Sequence, residues 1–158
     1  MTDLADIRSA GFVPDGFAAP RILRHALFTL RPLDVEHNER DYAAWTTSLT
    51  HIASTPGFVG GDWPHAMSLD DNRQDLARHA ADFAARRGFT YTVLDGDDVI
   101  GCVYIYPGSD AEHDAKVSSW VRHDTAPLDV VLYRAVRDWL GTHWPFSRVE
   151  YAPRREAH

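Results

Sequence analysis

Five segments of the chain show the alternation of apolar and polar residues, or the continuous apolar run, that is typical of β-strands. Two of them, FTYTVL (89–94) and VIGCVYIY (99–106), flank Asp95-Gly96-Asp97, which predicts a tight hairpin turn. The others are LFTLRPL (27–33), KVSSWVR (116–122) and SRVEYA (147–152). Pro32 indicates that the first of these strands ends there or lies at a sheet edge.

Three further segments repeat apolar residues at the spacing of an amphipathic α-helix. The first helix is expected over residues 38–53, with an apolar face made by Tyr42, Trp45, Leu49 and Ile52. A second helix begins after Ser68, the first residue of a capping-box pattern, and ends at Gly88. The third covers about Pro127 to Leu140 and ends at Gly141.

The resulting order, β-α-α-β-β-β-α-β, predicts an α+β or α/β domain with a mostly antiparallel sheet and helices on both faces. The last two strands would be parallel if they are neighbours, because a crossover helix returns the chain to the same end of the sheet. Residues 1–24 are interpreted as an N-terminal arm, lying on the domain or partly disordered, and residues 25–158 as a single domain. A cone-shaped, NTF2-like ligand-binding domain is the alternative fold, and the helix between the last two strands argues against it.

Composition and charge narrow the range of partners. The chain has 158 residues, a net charge of −7 and a single Lys, so a nucleic-acid surface is not expected. Its one Cys cannot form an internal disulfide, which fits a reducing compartment. The first residues lack the pattern of a signal peptide, and no stretch reaches the roughly 18 apolar residues of a membrane helix. We therefore expect a cytoplasmic protein that binds neither nucleic acid nor membranes.

Several of these segments resemble the GNAT superfamily of acyl-CoA-dependent N-acetyltransferases. FTLRPLDVEHNERDYAAW (28–45) is similar to the strand and helix that open those enzymes, and YTVLDGDDVIGCVYIYP (91–107) resembles their central hairpin. KVSSWVR (116–122) takes the place of their fourth strand, and the resemblance covers about residues 27–152. It implies that the protein uses acetyl-CoA or another small-molecule acyl-CoA as co-substrate, without a metal, and transfers the acyl group to an amine acceptor whose identity the resemblance leaves open.

The pyrophosphate loop of that family, Q/R-x-x-G-x-G/A, is altered in this chain. In the family, backbone N–H groups of the loop and the following helix N-terminus hold the pyrophosphate of coenzyme A. In the corresponding segment Arg122 matches the first position, whereas Thr125 and Pro127 replace small residues and Asp124 adds a negative charge. The resemblance places the acyl-CoA contacts at Val121, Arg122, His123, Thr125 and Ala126. An ordinary strand-to-helix loop is the alternative interpretation.

Family members also continue after the fifth strand with another helix and two strands, whereas PRREAH follows the corresponding strand here. An unpaired sheet edge favours association with a second copy, so a homodimer is one expectation. The altered loop and the short C-terminal region leave a second interpretation open, in which the protein is a non-catalytic binding or dimerisation module with this fold.

Four aromatic residues are candidates for the acceptor site. Tyr104 and Tyr106 share one face of their strand, and Trp120 lies in the next strand. Trp63 lies in the long loop before the second helix, which in the resembling family borders the acceptor amine. For each of the four, packing within the protein is the alternative role.

Acylation of an amine needs a base, because the nucleophile is the neutral amine. His123, in the predicted acyl-CoA loop, and Glu150, on the last strand, are the two candidates, and the sequence does not choose between them. Cys102 lies in an apolar strand with no nearby group that would activate its thiol, so we interpret it as a buried hydrophobic residue. The nine His residues show no zinc-binding spacing, so no metal site is expected.

Overall fold

The computed structural model describes residues 11–154, which form one six-stranded sheet with the strands in chain order. The strands are β1 (Leu23–Arg24), β2 (Thr29–Pro32), β3 (Phe89–Asp95), β4 (Asp98–Pro107), β5 (Ala115–Val121) and β6 (Val149–Tyr151). The helices are α1 (Asn38–Thr46), α2 (Leu49–Ala53), α3 (Leu69–Ala84) and α4 (Leu128–His143). Within residues 11–154, no helix has the length and apolar character needed to cross a membrane.

Neighbouring strands are antiparallel except for the last pair. β3 and β4 form the predicted hairpin, and Gly96 in its turn has a φ of +60°, a conformation that glycine adopts without a steric penalty. β5 and β6 are parallel, with Ala115 opposite Val149, and α4 connects them as a crossover. The predicted α+β class and the parallel last pair are therefore confirmed, and the NTF2-like alternative is excluded.

One face of the sheet, which we call the α4 face, packs against α4 and is almost wholly apolar. Inward-facing residues of β3, β4 and β5 share one buried cluster with Leu132, Val136 and Trp139 of α4. Aromatic rings contribute much of this cluster, and the rings of Tyr91 and Trp139 meet edge to face with centroids 5.1 Å apart.

The opposite face, which we call the α1/α3 face, packs against α1, α2 and α3. Its buried cluster includes Trp45 of α1, Leu76 of α3, Cys102 of β4 and Trp120 of β5. Buried polar residues such as Thr92 lie on this face as well. Because successive residues of a strand point to opposite faces, each central strand supplies both clusters.

The described part of the predicted N-terminal arm lies on the domain. Phe12, Val13 and Phe17 pack against the cluster of the α4 face, and β1 adds an edge strand beside β2. The guanidinium of Arg86 donates hydrogen bonds to carbonyl groups of the arm. Residues 1–10 of the arm lie outside the described residues.

The prediction of one helix over residues 38–53 is wrong, because the segment forms two helices separated at Thr47 and Ser48. The hydroxyl groups of both residues donate to carbonyls in the last turn of α1. Ser48 Oγ also accepts a hydrogen bond from the backbone N–H of His123 at 3.0 Å. Ser and Thr side chains that bond to the backbone in this way compete with helical hydrogen bonds, which explains the break.

Two predicted helix ends are also wrong. α4 continues past Gly141 and ends before Trp144, whose extended backbone is favoured because Pro145 follows it. α3 ends at Ala84, and Arg86 rather than a glycine takes the left-handed conformation, with a φ of +61°. Gly88 is required by packing instead, since a Cβ atom there would overlap the ring of Tyr106.

The predicted start of α3 is confirmed. Ser68 is its N-cap, and the Ser68 hydroxyl accepts a hydrogen bond from the backbone N–H of Asp71 at 3.0 Å. This bond satisfies one of the N–H groups that the first turn of a helix leaves without an intrahelical partner.

Candidate functional site

A cavity of about 410 Å³ opens on the α1/α3 face of the sheet. The loop of residues 54–68, between α2 and α3, contributes to its wall. Other parts of the wall come from α1, α3, β4 and β5. Residues that matter for its chemistry are Asp41, Trp63, Asn72, His79, Tyr104 and Ser118.

Three half-buried aromatic side chains, Phe58, Trp63 and Tyr104, line this cavity, and we call them the aromatic wall. The ring centroids of Phe58 and Trp63 are 5.8 Å apart, and each lies 6.4 Å from the centroid of Tyr104. Two of the four aromatic residues predicted for the acceptor site therefore lie together. Phe58 belongs to the same loop as Trp63 and was not among the predicted residues.

Hydrogen bonds hold both ends of the loop that carries Trp63. Near its start, Thr55 Oγ1 donates to a carbonyl of α2 at 2.8 Å. Near its end, the hydroxyl of Tyr42 donates to the carbonyl of Met67 at 2.7 Å. Gly57 lies against β5, because a Cβ atom at Gly57 would be in van der Waals contact with Ser118. The loop is thus seated on the sheet beside the cavity.

Asp41 brings a buried carboxyl group to the cavity, with 4% of the residue exposed. The amide of Asn72 donates to Oδ2 of Asp41 at 3.2 Å and to Oδ1 of Asn38 at 2.9 Å, and it accepts from Nε1 of Trp45 at 3.1 Å. No cation among residues 11–154 pairs with Asp41. Burial raises the pKa of Asp41 to about 6, while the hydrogen bond from Asn72 acts in the opposite direction.

His79 of α3 lines the cavity and connects it to Tyr106. Its Nδ1 atom lies 2.9 Å from the hydroxyl of Tyr106 and 3.0 Å from Oγ1 of Thr90. Burial lowers the pKa of His79 to about 4, so the imidazole is neutral near pH 7. The hydroxyl of Tyr106 also donates to Asp82 at 2.9 Å. Tyr106 is therefore held by α3 and lies outside the cavity lining.

Trp120 lies behind the aromatic wall, with 0% of the residue exposed. Its Nε1 donates to the hydroxyl of Tyr104 at 3.0 Å, and its ring centroid lies 6.2 Å from that of Trp63. Cys102 is buried in the same cluster, and burial raises the pKa of its thiol well above the ordinary value. Both residues therefore pack within the protein, Trp120 as a support for two cavity residues.

Pairing between β5 and β6 ends at Val117 and Tyr151, and Arg154 fills the gap that follows. The side chain of Arg154 is only 2% exposed. Its guanidinium donates to the carbonyl of Ser119 at 2.7 Å and to Asp129, in the first turn of α4, at 2.8 Å. The resemblance to the GNAT family implies that this gap corresponds to the groove where the fourth and fifth strands of that family separate.

Arg122, the predicted contact for the pyrophosphate, is already paired. Its guanidinium lies 3.0 Å from the carboxylate of Asp98 and 2.6 Å from that of Asp124. Asp124, just before α4, also places a carboxylate close to the helix N-terminus, where its charge opposes the positive field. The loop of this protein therefore fits an anion less well than a loop with the family's small residues would.

The other predicted acyl-CoA contacts are distributed around this loop. Val121 is buried in the cluster of the α4 face, and Ala126 is half-buried just before α4. The N–H of His123 donates to Ser48, and the N–H of Thr125 donates to the carbonyl of Arg122 at 2.9 Å. At these two positions the N–H groups are used within the protein.

The two predicted bases lie towards opposite ends of β5. His123 is exposed and lies two residues after the end of the strand, whereas Glu150 lies opposite Lys116 near its start. Both lie outside the lining of the cavity. Glu150 is instead grouped with Asp110 and His113, whose possible ligand atoms all lie within 4.8 Å of one another. These three residues could hold a metal ion. Their spacing in the sequence did not predict such a site.

Asp41, Asn72 and His79 were not predicted from the sequence as site residues. Asp41 lies four residues before Trp45 in α1, and Asn72 lies four residues before Leu76 in α3. His79 follows Leu76 by three residues. Polar residues at helical spacing from buried apolar residues face inward, and this pattern was the available signal.

No protein-family model matches the sequence, and no curated protein is similar to it. Solved structures do match, and they show that the chain has the fold of the GNAT acetyltransferases. The resemblance predicted from the sequence is therefore confirmed at the level of the fold.

Three of these structures illustrate the likeness. Ribosomal-protein-S5-alanine acetyltransferase from Vibrio fischeri is 14% identical, with a TM-score of 0.63 over 82% of this chain and 72% of that chain. Mycobacterium smegmatis RimJ, in complex with CoA-disulfide, is 16% identical, with a TM-score of 0.63 over 82% and 63%. Microcin C7 self-immunity acetyltransferase, in complex with acetyl-CoA and AMP, is 11% identical, with a TM-score of 0.59 over 78% and 66%.

Proposed function

We propose that the protein is an acyl-CoA-dependent N-acyltransferase that acts on a small amine. The position of the cavity carries this proposal. Ser118 lines the cavity, and the next residue of β5, Ser119, borders the gap between β5 and β6. An acyl group carried in that gap would lie next to an amine held in the cavity. The fold supports the proposal, since it is shared with acetyltransferases solved with CoA or acetyl-CoA.

In the proposed reaction, the amine nitrogen attacks the carbonyl carbon of the thioester, a C–N bond forms and the C–S bond breaks. The acceptor loses one proton to become a neutral amine and a second as the amide forms. One of these protons is taken up by the thiolate of coenzyme A, and a base takes the other. His123 and Glu150 remain the two bases predicted from the sequence, although neither lines the cavity.

The predicted site residues take different parts in this proposal. Trp63 and Tyr104 contact the acceptor, whereas the segment from Val121 to Ala126 faces the acyl-CoA. Trp120 maintains the site through its hydrogen bond to Tyr104, and Tyr106 does so through His79.

A non-catalytic binding or dimerisation module is a second candidate, and two observations favour it. Arg154 fills the gap in which an acyl-CoA would lie, and it holds the Ser119 carbonyl that the strand would otherwise present there. The carboxylates of Asp98 and Asp124 also neutralise Arg122. Acyl-CoA binding in the gap requires the guanidinium of Arg154 to leave, with loss of its hydrogen bonds to Ser119 and Asp129.

Calorimetric titration with acetyl-CoA, and with coenzyme A alone, separates the two candidates. We expect micromolar binding of acetyl-CoA, weakened by Arg122→Glu because that change reverses the charge next to the phosphates. Arg73→Glu, an exposed charge reversal on α3, is the matched control and should leave affinity unchanged. In Arg154→Met an apolar side chain replaces the guanidinium, so no hydrogen bonds to Ser119 and Asp129 have to break. The affinity for acetyl-CoA should therefore increase.

A folded protein that binds no acetyl-CoA at millimolar concentration, both as wild type and as Arg154→Met, would contradict the transferase. Where acetyl-CoA does bind, incubation with a panel of amines should release free thiol and yield an amide that mass spectrometry detects. Binding without turnover over the whole panel would favour the non-catalytic candidate.

A further inference from the structure

We propose that Asp41 binds the ammonium group of a small, singly charged amine, whose apolar part lies against the aromatic wall formed by Phe58, Trp63 and Tyr104. The role of this amine as acyl acceptor rests on the proposed function. The binding itself requires no acyl-CoA and can be measured alone.

The carboxylate of Asp41 has unmet hydrogen-bonding capacity. An ionised carboxylate can accept about four hydrogen bonds, and residues 11–154 supply one, from the neutral amide of Asn72. A buried carboxylate without a cationic partner is unfavourable, and its pKa of about 6 reflects this environment. Because Asp41 lines the cavity, a ligand there can reach the carboxylate. A cationic ligand supplies the charge and the N–H donors that the protein does not.

The aromatic side chains of the cavity complement the carboxylate. The rings of Phe58, Trp63 and Tyr104 offer apolar surface, and aromatic faces attract cations. The volume of about 410 Å³ falls within the range of small-molecule sites, roughly 300–1,000 Å³. An amine with an apolar body matches both the carboxylate and the rings.

The other charged groups of the cavity indicate a single positive charge on the ligand. Asp75 and Arg78 form an ion pair with each other at 3.6 Å, so their charges offset. His79 is neutral near pH 7 because burial lowers its pKa to about 4. Among the acidic groups that line the cavity within the described residues, Asp41 is therefore the one without a cationic partner.

The test compares two probes that differ at one terminal group, the ammonium of 2-phenylethylamine and the neutral hydroxyl of 2-phenylethanol. Titration at about pH 8 keeps the amine protonated and Asp41 ionised. We expect calorimetry to show the ammonium probe binding roughly tenfold more tightly than the alcohol, a difference of about 1.4 kcal/mol. Equal affinities, or no binding of 2-phenylethylamine at millimolar concentration, would overturn the proposal.

Two variants locate the binding. Asp41→Asn is nearly isosteric and should abolish the preference for the charged probe, whereas Trp63→Leu should weaken both probes. Glu39→Gln makes the same chemical change at an exposed position of α1 and should change neither affinity. Retention of the charge preference in Asp41→Asn would overturn the assignment of the ammonium group to that residue.

The outcomes distinguish this proposal from the proposed function. A protein that prefers 2-phenylethylamine through Asp41 but never binds acetyl-CoA has the amine site and lacks the transferase activity. A protein that acylates amines while Asp41→Asn retains wild-type affinity for 2-phenylethylamine is a transferase in which the ammonium group binds elsewhere.

Discussion

The α4 face of the sheet is closed and apolar, whereas the α1/α3 face holds buried polar groups and an open cavity. On the α4 face, Leu132 and Val136 are fully buried among aromatic rings. On the α1/α3 face, Asp41, Asn72 and His79 are positioned by hydrogen bonds between helices and strands. The two faces are built by alternate residues of the same strands, so that Val103 lies in one cluster while Tyr104 lines the cavity. A strand can therefore stabilise the domain with one set of residues and carry a binding site with the next.

Truncating the α4 face should give the largest change in stability. Leu132→Ala removes a fully buried side chain from this cluster and should lower the free energy of unfolding by about 4 kcal/mol. Urea denaturation measures the loss, and Leu27→Ala, at a residue that is 51% exposed, is the control with little effect. The folded Leu132→Ala protein should bind 2-phenylethylamine as the wild type does, and weakened binding would contradict the division between the two faces.

The buried carboxyl group of the α1/α3 face should make stability depend on pH. The pKa of Asp41 is raised from 3.8 to about 6, so the folded state holds its proton more tightly than the unfolded state does. This contribution to stability is present at low pH and is lost as pH rises from about 4 to about 6. The shift corresponds to about 3 kcal/mol.

The measurement is the difference in unfolding free energy between the wild type and Asp41→Asn, followed from about pH 4 to about pH 7. Stability of the wild type relative to the variant should fall over this range. His79 acts in the opposite direction, because its lowered pKa removes stability as pH falls from 6.5 towards about 4. Both proteins contain His79, so its effect cancels in the difference. A difference that does not change with pH would show that burial does not raise the pKa of Asp41.

Removing the amide that links α1 to α3 should give an intermediate effect. Asn72→Leu leaves Asp41 without its donor and Trp45 Nε1 without its acceptor, and it should cost about 2 kcal/mol of stability. Gln74→Leu makes the same change at an exposed position of α3 and is the control for denaturation measurements. Equal effects of the two substitutions would mean that the buried network contributes nothing beyond helix packing.

The smallest expected effect has the opposite sign. Thr92 is fully buried, and its Oγ1 has no hydrogen-bond partner within residues 11–154. Thr92→Val replaces this hydroxyl by a methyl group and should raise stability by about 1 kcal/mol. Thr90→Val makes the same change on the same face, where Oγ1 lies 3.0 Å from His79 Nδ1, and should lower stability. Thermal unfolding of the pair measures the contrast, and a Thr92→Val variant less stable than the wild type would contradict it.

Most of the fold could be predicted from the sequence, because its strands and helices are specified by local periodicity. The alternation around the Asp95–Asp97 turn predicts the hairpin, and the helix between the last two strands predicts the parallel pair. The errors arose where distant residues decide the local structure. The hydroxyl groups that break the helix bond to local carbonyls, but that of Ser48 also accepts from the distant N–H of His123, and Gly88 is needed for the packing of Tyr106 rather than for a helix end.

The candidate site was less predictable than the fold. Trp63 and Tyr104 could be selected because an aromatic residue in a long loop and one on a strand face are locally visible signals. The burial of Asp41 arises only when α1, α3 and the sheet come together, and sequence spacing gives no measure of it. The occupation of the strand gap by Arg154 depends equally on a tertiary contact, with Asp129 and Ser119.

The loop of residues 54–68 is anchored at both ends, which allows substitutions at exposed positions in its middle. Trp63 of this loop packs against Trp45 of α1, with ring centroids 5.4 Å apart. The ends of the loop are held by Thr55, which bonds to α2, and by the Tyr42–Met67 hydrogen bond, so the exposed residues between Phe58 and Met67 take no part in these anchoring contacts. A different sequence over that stretch would present other side chains to the cavity while Asp41, Asn72 and the sheet stay unchanged. Under the proposed amine binding, exchanging the exposed residues of this one loop would change the selectivity for the body of the amine.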